Sequence, residues 1–369
     1  MKTKKLTLAV IVCVAVAFTS CSISVKDNPK DSPKTDEQTT SQEPENQTPS
    51  PEPDPAPTPT PVLSPEEIPL TLEAIDAGTI TITNPSEFTN LKYQLNGVEN
   101  VVPTTESTVN IPINAEDIIC FFADGPANED YTYLKINCSG DCYIYGNVMS
   151  LINPNEFINE TVIPGNYCFS HLFEGNSHIK NHPSQTLVLP ATTLAESCYN
   201  YMFNTCPSLE TTPDLPAIIL TKYCYQSMFE NCTNLTAAPD LPATTLAEGC
   251  YCSMFYGCKN LETAPAILAT TLAKGCCIRM FFGCEKLTTA PDLLATTLVD
   301  GCYIQMFSRC LSLNSIRCLS QTPFNENYTD DWLLNVSSTG TIKKSGLWVI
   351  QDVLKGPDTI PVGWTEELE

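Results

Sequence analysis

Basic side chains are scarce in this chain, and their scarcity excludes several classes of partner. Lysine and arginine together number 19 against 42 aspartates and glutamates, which gives a formal net charge of −23. Proteins that bind nucleic acids or anionic membrane surfaces use rows of basic residues that release counterions, and this chain has no such row. We therefore expect no nucleic-acid partner. The acidity instead suits an exported protein that its charge keeps soluble.

Histidine is equally scarce, and the motifs of the common active sites are missing. The three histidines are His171, His178 and His182. His178 and His182 have the spacing of metal ligands on a helix, but Pro183 disfavours a helix there, so we expect a surface loop. No G-x-S-x-G, H-E-x-x-H or phosphate-binding glycine loop occurs. The sequence therefore predicts a protein that is not an enzyme and that has no cofactor.

The apolar run at the N terminus is too short to cross a membrane as a helix. It extends from Leu6 to Phe18, follows three lysines and ends close to Cys21, which is the layout of a secretory signal. The cysteine after small residues makes it resemble a bacterial lipoprotein signal, which implies that Cys21 becomes the acylated first residue. The alternative is an ordinary signal cut before a cysteine. We expect residues 1–20 to be removed and the protein to be exported and lipid-anchored to the bacterial outer membrane or cell surface.

Two further segments precede the main body of the chain. Residues 21–66 are rich in Pro, Ser, Thr and Glu and lack the apolar side chains needed for a core, so we expect a disordered tether. Residues 67–164 alternate apolar and polar side chains and predict a small β-sandwich. The Asn96-Gly97 pair predicts a type I′ hairpin. The strands are predicted at Thr79–Thr83, Leu91–Leu95, Val98–Val102, Ile118–Phe122, Tyr131–Ile136 and Cys142–Tyr145.

From Cys198 onward the chain repeats every 26 residues. The four most regular positions are Cys198, Cys224, Cys250, Cys276 and Cys302; Met202, Met228, Met254, Met280 and Met306; Cys206, Cys232, Cys258, Cys284 and Cys310; and Leu209, Leu235, Leu261, Leu287 and Leu313. A degenerate sixth unit lies upstream, where Cys168, Leu172 and Phe173 match the first unit at an offset of 30. A fixed period of this size is typical of solenoids, whose units bury their apolar faces only by stacking.

Each unit combines a predicted helix with a predicted short strand. The apolar residues of the first unit that share one face of a helix are Cys198, Met202, Phe203 and Cys206. The segment Leu209–Leu215 predicts a short strand that Pro213 interrupts. The predicted fold is therefore an α/β repeat solenoid over residues 165–319, preceded by the β-sandwich and closed by a short β-rich cap over residues 320–369. The cap contains Trp332, Trp348 and Trp364, for which an aromatic platform for sugar is the alternative.

The unit at Leu241 to Pro265, LPATTLAEGCYCSMFYGCKNLETAP, resembles the BspA-type leucine-rich repeats of bacterial surface proteins. The resemblance covers Cys168 to Cys318 and rests on an aromatic-x-x-Cys signature, a following Leu and a Leu-Pro turn. This unit is three residues longer than the commonest form and has an extra cysteine at Cys198 and its equivalents. The resemblance implies a leucine-rich-repeat horseshoe, exposure at the cell surface, and adhesion. The implied partners are host matrix or bacterial surface proteins or glycans.

The cysteines of the repeats are predicted to be buried thiols. On a helix, Cys198 and Cys206 would lie about 12 Å apart, beyond the roughly 7 Å limit for the Cα atoms of a disulfide. Helices of neighbouring units would lie about 8 to 10 Å apart, which also disfavours bridges. Cys252 and Cys277 lie outside the regular positions and are expected to be exposed. Before the repeats, Cys138-Ser-Gly-Asp-Cys142 is compatible with a disulfide across a tight turn, and it lacks the second cysteine pair of a zinc knuckle.

The candidate binding face lies on the predicted strands, where acidic and hydroxyl side chains alternate with buried positions. Its carboxylates are Glu210, Asp214, Asp240, Glu262 and Asp292. One hypothesis is a surface protein that recognises other macromolecules through several units at once. The other is a structural surface-coat or spacer protein without a specific ligand, in which the same face is only solvated. No catalytic residue and no metal ligand is expected.

Overall fold

The computed structural model describes residues 63–127, 133–322, 324, 326–345 and 360–369. The leader, Cys21, most of the tether and Trp348 lie outside the described residues. The strands are β1 (Thr71–Ala74), β2 (Gly78–Thr83), β3 (Lys92–Leu95), β4 (Val98–Val101), β5 (Thr108–Ile113), β6 (Ile118–Phe122), β7 (Lys135–Cys138), β8 (Cys142–Asn147), β9 (Ile179–Asn181), β10 (Leu187–Val188), β11 (Ser315–Cys318), β12 (Gly340–Lys344) and β13 (Trp364–Leu368). Short 3-10 helices occupy Pro65–Glu67, Pro85–Glu87, Val148–Leu151 and Phe157–Asn159.

The segment before the repeats folds into two sheets. One has the strand order β10-β8-β1-β6-β3-β4, with β9 also paired to β8, and the other has the order β5-β2-β7. Alternate residues of β2 and β5 are buried, among them Ile80, Ile82 and Ile111, so one face of the smaller sheet packs on the core. The sequence prediction missed β1 and β5. Since β9 and β10 come from beyond residue 164, the larger sheet extends past the predicted boundary.

The predicted hairpin is confirmed. Strands β3 and β4 pair antiparallel with Leu95 opposite Val98, which leaves Asn96 and Gly97 as a two-residue turn. Their φ angles are 50° and 81°. A type I′ turn requires positive φ at both central residues, and Asn followed by Gly tolerates that conformation best.

The helix predicted in each repeat is wrong. Within the described residues the one α-helix is the four-residue segment Glu326–Thr329, and the repeats form chains of turns instead. In the first unit the φ angles of Ser197, Tyr201 and Thr205 are 53°, 56° and 57°. A left-handed residue at every fourth position cannot be part of an α-helix. The conformation recurs in later units at positions that include Gly249, Ser253 and Gly257. We call this part of each unit the turn segment, residues 196–207 in the first unit.

Two alternating sets of backbone hydrogen bonds hold the turn segment in its conformation. Every second N–H donates to the carbonyl of the next unit at 2.7 to 3.0 Å, and the pairs in the first unit are Ser197 to Lys222, Tyr199 to Cys224, Tyr201 to Gln226, Phe203 to Met228 and Thr205 to Glu230. The intervening N–H groups of Asn200, Met202 and Asn204 donate to the carbonyl three residues back. Neighbouring units are therefore joined as parallel β-strands are, while each unit also turns on itself.

The degenerate upstream unit belongs to the same array. Phe169 and Phe173 donate their N–H groups to the carbonyls of Cys198 and Met202, at 2.8 and 2.9 Å. Its left-handed residues include Tyr167 and His171, which match Ser197 and Tyr201 at the predicted offset of 30. The four-residue insertion is thus accommodated outside the turn segment.

Aromatic side chains form two rows through the interior of the array. One row contains Tyr199, Tyr225 and Tyr251, and the other runs through Phe173, Phe203, Phe229, Phe255, Phe281 and Phe307. Neighbouring ring centroids are 5.5 to 6.2 Å apart, and the planes are nearly parallel. Methionine and leucine rows at Met202 and Leu209 and their equivalents are also buried. The predicted inward positions are therefore correct, although their backbone conformation is not.

The predicted strand Leu209–Leu215 is not a regular strand. The second part of each unit makes isolated parallel bridges to the next unit, such as Ala237 with Thr263 and Leu241 with Ile267. Regular pairing appears at the two ends of the array: β9 and β10 pair with β8, and β11, β12 and β13 form a parallel three-stranded sheet. The described chain is thus mostly β-structure with few helices, and its regular aromatic stacking indicates a repeat array.

The C-terminal segment continues the hydrogen-bond pattern of the repeats. Tyr303 and Phe307 donate their N–H groups to the carbonyls of Tyr328 and Trp332, both at 2.9 Å. Trp332 is fully buried against Phe307, and Trp364 is 7% exposed. These two tryptophans are packing residues, so the alternative of an exposed aromatic platform is wrong for them.

Candidate functional site

The five predicted carboxylates are all exposed on the segment that follows the turn segment. Each one lies near a buried leucine of the same unit; Glu210, for example, directly follows Leu209. The backbone N–H groups of Thr236 and Glu262 donate to the carbonyls of Glu210 and Thr236, at 3.2 and 3.1 Å. These bonds place Glu210, Thr236 and Glu262 in one column across three successive units. We call the row of Glu210, Asp214, Asp240, Glu262 and Asp292 the acidic face.

Ion pairs divide the acidic face into two parts. Asp292 binds Arg317 at 2.8 Å, and Glu262 lies 3.6 Å from Lys286. Glu210, Asp214 and Asp240 form no ion pair with any residue that the structure describes. The unneutralised charge is therefore concentrated in the first two complete units.

The side chain of Asn181 fixes the edge of the acidic face. Its Oδ1 accepts hydrogen bonds from the N–H groups of Glu210 and Thr211, at 2.8 and 3.0 Å, and its Nδ2 donates to the Thr211 carbonyl at 3.1 Å. An open cleft of about 500 Å³ begins here, and its polar lining includes Glu66, His182, Gln185 and Asp214. The sequence did not predict this cleft, because its walls come from segments more than 100 residues apart.

The two histidines with metal-ligand spacing do not form a metal site. They lie at opposite ends of strand β9. His178 Nδ1 lies 2.9 Å from Asp141, and His182 Nδ1 accepts hydrogen bonds from the N–H groups of Ser184 and Gln185. Within the described residues no group of three or more potential ligands is placed to hold a metal ion.

The Cys138–Cys142 loop is held by charged groups. Lys180 donates to Asp141 at 2.5 Å, and together with His178 it lowers the pKa of that carboxyl. Both cysteines are buried free thiols. A hydrogen bond between them lowers the pKa of Cys138. The disulfide considered from the sequence is therefore not formed in this structure.

The cysteines at the regular repeat positions are buried free thiols in the described chain, as predicted. The distance argument behind that prediction is wrong, because the backbones of neighbouring units lie at β-strand spacing. Cys277 is buried at 1% exposure because it takes the interior position that Tyr251 occupies one unit earlier. Cys252 is half-buried. The prediction of exposure is therefore wrong for Cys277 and only partly correct for Cys252.

The cysteines that end the turn segments make a contact that the sequence did not reveal. Each thiol donates to the carbonyl of a phenylalanine in the preceding unit, at 3.0 to 3.2 Å. The five pairs are Cys206 with Phe173, Cys232 with Phe203, Cys258 with Phe229, Cys284 with Phe255 and Cys310 with Phe281.

A second surface lies on the outer side of the turn segments, and the sequence analysis missed it. Tyr256 and Phe282 stack there with centroids 4.7 Å apart and planes 2° apart. The Arg309 guanidinium lies 5.4 Å from the centre of the Phe282 ring. Arg279 Nε donates to Gln305 Oε1 at 2.6 Å. We call these residues, with the half-exposed Ile278, the turn-side patch.

Comparisons with family models, curated proteins and solved structures gave no match to this chain. In the part of the chain that the structure describes, no helix has the length and apolar character needed to cross a bilayer. The surfaces of the described chain that bear on function are the acidic face, the cleft and the turn-side patch.

Proposed function

We propose that this protein is a lipid-anchored cell-surface recognition protein whose repeats form a leucine-rich-repeat solenoid of the BspA type. The regular rows of stacked rings and the hydrogen bonds between successive units support the solenoid. The lipoprotein-like leader and the following Pro-rich stretch support export and anchoring through Cys21. The function is adhesion to host or bacterial macromolecules, and the repeat array supplies the contact surface.

The observation that carries the proposal is the run of unneutralised carboxylates on consecutive units. Glu210, Asp214 and Asp240 are exposed, and they form no ion pair within the described residues. A single exposed carboxylate contact contributes only about 0.2 to 1 kcal/mol to binding. Several units must therefore engage one partner together, as a repeat array allows. The partner of such a face carries basic groups spread along an extended surface.

Replacing Glu210, Asp214 and Asp240 together by Gln, Asn and Asn tests the proposal. The amides keep the shape and remove the charge, so binding to an immobilised basic matrix protein should weaken about tenfold. The matched control replaces Glu248, Glu285 and Asp300 in the same way, because these carboxylates are paired with Lys222, Lys259 and Lys274. Equal weakening by both triple variants would show that only net charge matters.

A structural coat or spacer is the competing function. It predicts no saturable binding to matrix protein or to whole cells by the wild-type chain, and that result would remove the recognition proposal.

The anchor is tested separately. Radiolabelled palmitate should enter the wild type and not the Cys21→Ser variant, and equal labelling of both would refute lipidation.

A further inference from the structure

Two of the chain's three arginines form no ion pair with the acidic residues that the structure describes. Arg317 is paired with Asp292 and Glu369. Arg279 and Arg309 have no carboxylate within ion-pair distance among the described residues. The chain has 42 acidic and 19 basic residues, so an unpaired arginine is unexpected, and two of them on adjacent units form a local positive surface.

Aromatic side chains lie beside these arginines where other units have polar ones. The position of Tyr256 and Phe282 is held by Asn204, Glu230 and Ser308 in the other units. Both rings are partly exposed, as are Ile278 and Ile304. Glu230 is the neighbouring carboxylate in this row. Burial raises the pKa of its carboxyl, and the hydrogen bond from Ser227 and the charge of Arg279 lower it, although Arg279 lies beyond ion-pair distance. The apolar and positive groups of the patch are thus specific to the third, fourth and fifth units.

This composition is that of a protein interface. Aromatic residues and arginine are enriched in the centre of protein contacts, while lysine, glutamate and aspartate are depleted. An arginine guanidinium is planar and binds a carboxylate through two parallel hydrogen bonds, and it also stacks on aromatic rings. The turn-side patch therefore fits a protein surface that presents carboxylates.

We propose that the turn-side patch binds the acidic face of a second copy of this chain. The proposal rests on the proposed function, because it takes the acidic face as a contact surface. The unpaired carboxylates Glu210, Asp214 and Asp240 match the unpaired arginines in charge. The two surfaces lie on different segments of the unit, so each copy offers one surface to each of two neighbours. Such head-to-tail contacts build open rows when the rotation between copies does not close a ring.

The net negative charge of the chain makes two copies repel each other at long range, but salt weakens that repulsion. At physiological salt, charges further apart than about 8 Å are largely screened, so the local contacts decide. Anchoring by lipid would hold many copies in one plane and raise their effective concentration. Weak contacts between copies then become sufficient to form rows on a cell surface.

Sedimentation velocity of the full-length chain carrying Cys21→Ser tests the proposal. The protein should associate as its concentration rises, and Arg279→Gln with Arg309→Gln should raise the dissociation constant about tenfold. Lys259→Gln with Lys274→Gln removes the same charge elsewhere, since these lysines pair with Glu285 and Asp300 outside both surfaces, and should leave association unchanged. Phe282→Ser, which installs the residue of the next unit, should also weaken association. A wild type that stays monomeric at every concentration, or a lysine control that weakens association equally, would overturn the proposal.

Charge reversal provides the second arm. Arg279→Glu with Arg309→Glu should abolish association, and so should Asp214→Lys with Asp240→Lys, whereas a mixture of the two variants should associate again. Failure of the mixture would refute direct contact between the two surfaces. If heparin binds the patch and the copies do not associate, the occupant is an anionic glycan and the proposal is wrong. Matrix binding that survives while self-association is absent would leave the proposed function standing alone.

Discussion

The cysteine that ends each turn segment fills space and also donates a hydrogen bond. Cys232 is fully buried, and its thiol donates to the Phe203 carbonyl of the preceding unit at 3.1 Å. Because the same contact recurs in four other units, it joins successive units on the inside as the backbone bonds do along the turn segment. Interior stacking of small apolar residues therefore explains only part of the repeat's preference for cysteine at this position.

Cys232→Ala should destabilise the protein by about 1 to 2 kcal/mol, because it removes both a buried sulfur and a hydrogen bond. The control is Cys252→Ala, which removes a half-buried thiol outside the interior rows and should cost less than about 0.5 kcal/mol. Chemical denaturation of both variants measures the difference. Equal free energies of unfolding would contradict the role assigned to the Cys232 thiol.

Burial also makes the protein sensitive to alkali. It raises the pKa of the Cys224, Cys232, Cys302 and Cys318 thiols to about 12. An unfolded cysteine has a pKa of about 8.5, so above that pH the unfolded chain holds fewer protons than the folded one and stability falls. At one pH unit above 8.5, each such thiol lowers the free energy of unfolding by about 1.4 kcal/mol. The thermal midpoint in reducing buffer should drop steeply between pH 8.5 and 10, and a constant midpoint over this range would contradict the account.

At the scale of the element, the turn segment shows why a helix was predicted and did not form. The spacing of Cys198, Met202 and Cys206 is four residues, which suits both a helix and a chain of turns that repeats every four residues. Over so short a segment the two periods place the same residues inside. The glycines in the sequence were the signal against a helix. Gly249 and Gly257 lie eight residues apart at left-handed positions, and glycine has a low helix propensity.

Gly249→Ala should be much more harmful than Gly283→Ala. Both glycines have positive φ, 60° and 73°, so alanine is strained at either position by about 1 to 2 kcal/mol. An added Cβ at Gly249 would lie 2.2 Å from the Tyr223 ring, whereas at Gly283 the nearest atom is 3.9 Å away. Thermal unfolding should show the larger loss for Gly249→Ala. Similar losses would mean that the Tyr223 ring moves aside freely.

At the scale of the whole molecule, the repeat period predicted which residues are buried but not the surfaces they create. Identical residues 26 apart stack because each unit repeats the same backbone path, so Met202 and Phe203 could be assigned to the interior from the sequence alone. The turn-side patch could not be predicted from the sequence, because Arg279, Phe282 and Arg309 interrupt the repeat and meet only across neighbouring units. The cleft beside Asp214 likewise depends on Glu66 and His182, which come from outside the regular units.

The central claim is that the 26-residue units are equivalent and stack in register. Deleting one complete unit, Ala217 to Pro242, joins Pro216 to Ala243 and keeps the register of every hydrogen bond and aromatic row. Nearest-neighbour stacking predicts that this shorter chain folds cooperatively with a native-like circular dichroism spectrum. Deleting 13 residues, Ala217 to Phe229, should abolish cooperative unfolding because it places turn segments against the wrong part of the next unit. Equal tolerance of both deletions, or failure of both, would contradict the stacked array.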